Sequence, residues 1–122
     1  MTTDIQRHHT NARMSKIVQH GGQIFLCGQT SSGSDITDVE GQTREVLARI
    51  DALLAEAGSD RSRLLSAVIH LQDISDFSAM NSAWDTWVPP GAAPARTTVQ
   101  ALLASPSLRV EITVIAAACG QD

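Results

Sequence analysis

The stretch RVEITVIAAA, residues 109–118, is rich in β-branched and small apolar residues, which predicts a strand. Alternation along it places Glu111 and Thr113 on one face and valine and isoleucine side chains on the other. A second run, LLSAVIHL at residues 64–71, also reads as a strand that is apolar on both faces. A two-layer domain would leave one face of these strands in water, so the pattern predicts oligomerisation through the free sheet face.

Two helical segments lie between the predicted strands. Thr37 followed by Glu40 forms a capping box for a helix that begins near Asp38, and Gly58 is placed to end it. A second helix, capped by Ser75 or Asp76, carries an apolar stripe that ends at a Pro-Pro-Gly sequence. The stripe of the second helix consists of Phe77, Met80, Trp84 and either Trp87 or Val88.

The remaining segments complete the order ββαβαββ. Gly21 and Gly22 separate two β-rich runs, residues 15–20 and 23–28, which predicts a hairpin with a type I′ turn. A further strand is predicted over residues 96–103. Residues 1–12 are polar and irregular, and we expect a loose N-terminal arm on a single domain that spans residues 1–122. Two helices on one face of a mixed sheet define a two-layer α+β domain.

The amino-acid composition of the chain excludes several classes of function. The chain has 122 residues, a net charge of −4 and a pI of about 5.4, so it lacks the positive charge that a nucleic-acid partner requires. No apolar run reaches the length of a membrane span, and no signal peptide is visible at the N-terminus. The two cysteines show no metal-ligand spacing, and we expect no metal. These features predict a cytoplasmic protein.

The charged residues of the last two strands are the first candidates for a site. Arg96 leads a polar face shared with Thr98 and Gln100, and an arginine there can bind a carboxylate through two hydrogen bonds or form an ordinary ion pair. Glu111, in so apolar a strand, could act as a general base. It could equally be the partner of a cation such as Arg96 or Arg109.

Three other positions have both a structural and a functional interpretation. Gly28, in the sequence Cys-Gly-Gln that ends a strand, permits close approach of a ligand to the backbone or is a plain strand end. Asn81 lies on the apolar stripe of the second helix, where it tethers a backbone or contacts a substrate. Trp84 is either a core anchor or a stacking surface.

Five pieces of the chain together resemble the RidA/YjgF/YER057c/UK114 family in order and spacing. They are GQIFLCGQT, GQTREVLARIDALLAEAG, FSAMNSAWDTW, PPGAAPARTTV and VEITVIAAA. The resemblance runs from about Arg13 to Ala118 and is closer to a divergent branch than to the archetypal RidA group.

The resemblance implies a chorismate-mutase-like fold and a homotrimer with a barrel-like centre and ligand clefts between subunits. It implies cofactor-independent hydrolysis of enamine/imine intermediates, such as 2-iminopropanoate, to 2-oxo acids and ammonia. Arg96 matches the arginine that binds the substrate carboxylate, and Asn81 matches the asparagine of the second helix. Gly28, with the adjacent Gln29, matches the backbone that lines the cleft, and Trp84 is expected beside the substrate.

The catalytic group implied by the resemblance comprises Arg96, Thr98, Glu111 and Thr113. Thr98 replaces a cysteine of the archetype, and Thr113 replaces the second glutamate of its VEIEAIA-like sequence, while Glu111 matches the first. We therefore expect Thr98 or Thr113 to orient water, and either backbone carbonyls or Glu111 to accept its proton. One alternative is a trimeric protein that binds small 2-oxo acids without turnover. The other is an endoribonuclease or translation inhibitor, against which the acidic net charge argues.

Overall fold

The computed structural model describes residues 4–119, in which six strands and two helices form an α+β domain. Two short 3-10 turns, Arg61–Arg63 and Ile74–Asp76, precede a strand and a helix respectively. The elements in chain order are β1 (Gln6–Thr10), β2 (Ser15–His20), β3 (Gln23–Leu26), α1 (Val39–Glu56), β4 (Leu64–Leu71), α2 (Phe77–Trp87), β5 (Ala95–Gln100) and β6 (Val110–Ala117).

The six strands form one mixed sheet in the order β1-β2-β3-β6-β4-β5. All neighbouring strands are antiparallel except β4 and β5, which are parallel and are connected through α2. The last strand of the chain, β6, therefore lies in the centre of the sheet, between β3 and β4. Its residues alternate between buried ones, such as Ile112, and half-buried ones, such as Glu111 and Thr113.

The loose arm predicted for residues 1–12 is wrong over Gln6–Thr10. That segment is β1, an edge strand paired with β2 through Arg7 opposite Val18 and Thr10 opposite Ser15. All five of its residues are exposed, so no apolar alternation marks it in the sequence. Its backbone hydrogen bonds, which are indifferent to side-chain type, hold it in the sheet. The first three residues of the predicted arm lie outside the described part of the chain.

The predicted turns and helix ends are largely confirmed. Gly21 and Gly22 both have positive φ, 61° and 81°, as a type I′ hairpin requires. Gly58, with φ of 78°, follows the end of α1. The cap of α1 is Asp38 rather than the predicted Thr37, because the Asp38 carboxylate accepts a hydrogen bond from the Gly41 N–H at 2.8 Å.

The strand predicted over residues 96–103 ends earlier, at Gln100. The backbone N–H of Leu103 donates instead to the side chain of Gln72, at 2.9 Å, which draws the chain away from the ladder. Leu102 lies on the outside of this turn and is 88% exposed. The apolar residues after Gln100 therefore belong to a surface turn.

Both helices pack on the same face of the sheet and enclose the core. Val110, Ile112 and Val114 of β6 point into it, together with Met80 and Trp84 of α2. Within residues 4–119 no helix covers the opposite face, where Phe25 and Val99 are partly exposed. No described helix is long and apolar enough to span a membrane. The free sheet face predicted from the sequence is therefore present.

Candidate active site

Strand register places the candidate residues of β5 on the helix-covered face. Arg96 pairs with Ala67 and Thr98 pairs with Ile69, and both of these β4 residues are buried in the core. Directly paired residues of neighbouring strands share a face. Arg96 and Thr98 therefore point towards the helices, at the β5 edge of the sheet.

The candidate residues of β6 lie on the free face. Glu111 pairs with His70 and Thr113 pairs with Val68 across the β4–β6 ladder. These four residues are half-buried and alternate with core residues along both strands. A single chain therefore presents Arg96 on one side of its sheet and Glu111 on the other.

Three side chains of α2 surround the guanidinium of Arg96. Its Nη1 donates a hydrogen bond to Oδ1 of Asn81 at 2.8 Å. The guanidinium carbon lies 5.4 Å from the ring centroid of Trp84 and 5.7 Å from that of Phe77. Phe77, Asn81 and Trp84 share one face of α2 because they are spaced four and three residues apart. Together they hold the guanidinium in one orientation.

Arg96 differs from the other half-buried arginines of residues 4–119, because its hydrogen-bond partner is neutral. The other three each pair with a carboxylate: Arg49 with Glu45 at 2.8 Å, Arg61 with Asp51 at 2.5 Å and Arg109 with Asp76 at 2.6 Å. Neither Arg96 nor Arg109 pairs with Glu111, which rules out that interpretation of Glu111 within one chain. Arg96 retains an uncompensated charge and free N–H donors.

Asn81 and Trp84, both predicted to contact substrate, contact Arg96 in this chain. The Trp84 ring is buried, at 4% exposure, and offers no stacking surface to a ligand in this chain. Phe77 is 40% exposed beside the guanidinium. Sequence reasoning assigned Phe77 to the core stripe and missed it as a neighbour of Arg96. Its spacing of four residues before Asn81 was the available signal.

The Thr98 hydroxyl is buried beside Arg96 and has no hydrogen-bond partner among the described residues. A buried hydroxyl without a partner carries a desolvation penalty of about 1–3 kcal/mol. Thr98 is two residues from Arg96 on the same strand face. A water molecule or ligand atom would reach this hydroxyl only after a neighbouring side chain moves, since the oxygen has almost no accessible surface.

On the free face, the Glu111 carboxylate packs against the backbone of Gly28. A Cβ atom at position 28 would overlap with Oε2 of Glu111 and would lie 3.1 Å from Oγ1 of Thr113. In this chain the group that approaches Gly28 closely is the Glu111 carboxylate, and the predicted approach of a ligand to this backbone stays a prediction. Gly28, Glu111 and Thr113 form a second polar cluster.

Gln29 and Cys27 flank Gly28 in the chain, and the side chain of Gln29 bonds Cys27. The backbone of Gln29 pairs with Ile112, and its side-chain amide donates to the Cys27 carbonyl and sulfur, both at 3.2 Å. Its amide nitrogen is therefore already bonded within the chain. Burial raises the pKa of the Cys27 thiol, and the charge of Glu111 adds to the rise. No group of three or more metal-ligating side chains occurs within residues 4–119.

Comparison with known proteins shows the family. The model of the Endoribonuclease L-PSP family matches residues 5–118. The RutC family protein YoaB of Escherichia coli is 44% identical over 113 residues, which cover 93% of this chain and 97% of YoaB.

Two solved structures are also similar. A member of the YjgF protein family from Neisseria meningitidis has 43% identity and a TM-score of 0.92, and the match covers 98% of both chains. A member of the YjgF/YER057c/UK114 family from Mycobacterium tuberculosis has 28% identity and a TM-score of 0.79 over 87% of both chains. The chain therefore belongs to the Endoribonuclease L-PSP family, which includes the YjgF and RutC proteins.

Proposed function

We propose that this protein hydrolyses reactive enamine/imine intermediates, such as 2-iminopropanoate, to 2-oxo acids and ammonia, and that Arg96 binds the substrate carboxylate. The observation that carries the proposal is the environment of Arg96. Its guanidinium is half-buried, is oriented by Asn81 and two aromatic rings, and lacks the carboxylate partner that the other half-buried arginines have. Such a group binds a planar carboxylate through two parallel hydrogen bonds.

The proposed site is completed by a second copy of the chain. Arg96 and Glu111 lie on opposite faces of one sheet, so a small ligand bound to Arg96 cannot reach Glu111 of the same chain. In a homotrimer that buries the free sheet face, each cleft takes the Arg96 cluster from one subunit and the Gly28–Glu111 cluster from its neighbour. The exposed apolar residues of that face, such as Phe25 and Val99, support this assembly.

The chemistry requires orientation and charge placement more than a strong nucleophile, because imines react with water unaided. Arg96 holds the carboxylate and withdraws charge from the adjacent carbon. Water adds to that carbon, and Glu111 accepts a proton from it. The resulting carbinolamine loses ammonia and leaves a 2-oxo acid. Thr98, two residues from Arg96 on the same strand face, orients the water through its hydroxyl once substrate binding uncovers it.

RNA cleavage, which the family's name denotes, finds no support in the charge of this chain. The net charge is −4, whereas binding of a phosphate backbone requires clustered lysine and arginine side chains. Three of its four half-buried arginines are already neutralised by carboxylates. The proposal therefore takes a small carboxylate as ligand and excludes a nucleic acid.

The direct test compares wild type with Arg96→Ala and Arg96→Lys on 2-iminopropanoate generated in solution by an amino-acid oxidase. Arg44→Ala is the matched control, because Arg44 is exposed on α1 and pairs with Glu40 at 2.7 Å. We expect both Arg96 variants to lose turnover and 2-oxo acid binding while the control keeps both.

Light scattering on the same samples should give about three times the subunit mass of 13.0 kDa. Wild-type activity in Arg96→Ala would refute the assignment of Arg96. Tight binding of 2-oxo acids by wild type without turnover would show instead that the protein is a binding module.

A further inference from the structure

His70 lies directly opposite Glu111 on the free face of the sheet. The two residues are register partners in the antiparallel β4–β6 ladder, and both are half-buried. The Cβ atoms of such partners lie about 4.5–5.5 Å apart, which is within reach of an imidazole and a carboxylate. His70 was not among the site residues predicted from the sequence.

Neither side chain has a hydrogen bond or an ion pair within residues 4–119. The imidazole contrasts with that of His9, which bonds Glu56 at 2.6 Å. Glu111 contacts Gly28 and approaches Thr113 but receives no hydrogen bond from the described chain. Two half-buried titratable groups without partners, side by side on an uncovered face, leave a polar position between them for a third molecule.

The other charged residue near this position within residues 4–119 is Arg109, two residues before Glu111, and it is already paired with Asp76 at 2.6 Å. On the β5 side, the strand neighbour of His70 is Val99. On the β3 side the nearest titratable group is the Cys27 thiol, whose pKa is raised by burial, and the charge of Lys16 acts on that thiol. Lys16 is exposed on β2, two strands away from β6. Among the residues that the structure describes, His70 and Glu111 are therefore the groups placed to exchange protons at this position.

We infer that His70 is a further catalytic residue, which exchanges protons with the substrate nitrogen and oxygen opposite Glu111. This inference rests on the proposed function. Glu111 and His70 face the same position from neighbouring strands, so a substrate held there has an acid and a base on its two sides. The alternative is that His70 only packs against a neighbouring subunit.

Glu111 and His70 together donate and accept every proton that the hydrolysis requires. As water oxygen bonds the imine carbon, Glu111 takes a proton from water and imidazolium of His70 gives one to the nitrogen, forming the carbinolamine. The carboxylic acid of Glu111 then protonates the amine nitrogen, and neutral His70 accepts the hydroxyl proton. The carbon–nitrogen bond breaks, ammonia leaves, and both side chains return to their starting states.

The test uses His70→Phe, which keeps a ring of similar size, and His70→Gln, which keeps a polar group but cannot exchange the proton. His20→Phe is the control, because His20 is an exposed histidine of the same chain at the β2–β3 turn. We expect kcat to fall by about 100-fold or more in both His70 variants, with KM nearly unchanged, and no change in the control. Light scattering verifies that each variant assembles as wild type does.

A second readout is independent of turnover. In ring-¹⁵N NMR spectra, the His70 resonances should move when Glu111 is replaced by alanine, whereas those of His20 should not. Wild-type kcat in His70→Gln would overturn the inference and leave the proposed function intact, even if His70→Phe failed to assemble. Absence of turnover in wild type would instead refute the proposed function. The NMR shift would then report only whether His70 and Glu111 lie close together.

Discussion

Arg96 and Glu111 point to opposite faces of the same sheet, although β4 alone separates their strands. Arg96 follows the register of Ala67 into the layer between sheet and helices, while Glu111 follows the register of His70 onto the uncovered face. A ligand of a few atoms cannot touch both side chains of one chain. If both act on one substrate, they do so from different subunits.

Mixing two inactive variants tests this arrangement. We expect Arg96→Ala and Glu111→Ala each to lose turnover as pure proteins. After unfolding and refolding as an equimolar mixture, about one quarter of the clefts should combine an intact Arg96 with an intact Glu111 from two subunits. The measurement is the specific activity of the refolded mixture relative to refolded wild type.

Controls for the mixing experiment use the same variants without exchange. The two proteins mixed without unfolding should stay inactive if trimers exchange subunits slowly. A refolded mixture that shows no recovered activity, although light scattering finds trimers, would show that Arg96 and Glu111 do not act together across a subunit interface.

Asn81→Asp should weaken carboxylate binding. The new carboxylate would replace the neutral acceptor of Arg96 and compete with the ligand for the guanidinium. We expect 2-oxo acid affinity to fall by about tenfold or more, since a hydrogen bond to a charged group is worth about 1.5–3 kcal/mol. Isothermal titration calorimetry measures it, with Ser82→Asp, an exposed position on α2, as the charge-matched control. Equal losses in the two variants would indicate a long-range charge effect only.

Gly28→Ala should displace the Glu111 carboxylate at a small cost in stability. The added methyl group overlaps with Oε2, the far end of a flexible side chain that can rotate away, and lies 3.1 Å from Oγ1 of Thr113, so we expect a loss of about 1 kcal/mol, the low end for an overpacked site. In a Glu111→Ala background the contact is absent, so the same change should be nearly neutral. Urea unfolding of the four proteins gives the coupling free energy, and additive effects would show that Glu111 does not occupy this position.

Removal of the Glu111 charge should make Cys27 more reactive. Burial raises the pKa of the Cys27 thiol most strongly, and the negative charge of Glu111 raises it further. Glu111→Gln removes the second contribution and lowers the pKa, which increases the thiolate fraction at a given pH. We expect faster alkylation by iodoacetamide near pH 8, in a Cys119→Ser background that leaves one thiol. An unchanged or slower rate would contradict the proximity of Glu111 and Cys27.

Local patterns in the sequence determined five of the six strands, the hairpin and the facing of individual side chains. The alternation of residues 109–118 separated Glu111 and Thr113 from the core residues, and the structure confirms it. Gly21, Gly22 and Gly58 marked chain reversals because their backbone conformations exclude most other residues. These features depend on a few neighbouring residues and can therefore be predicted from one stretch of the chain.

Relations between distant segments were decided only by the tertiary structure. Alternation gives each strand two faces, but pairing with β4 decides which face of β5 and which face of β6 the helices cover. That choice put Arg96 under Asn81 of α2 and left Glu111 beside Gly28 and opposite His70. β1 escaped detection for the same reason, since its pairing depends on backbone hydrogen bonds to β2 and not on its own side chains. Periodicity is a property of a single segment, whereas a site is a property of the register between segments.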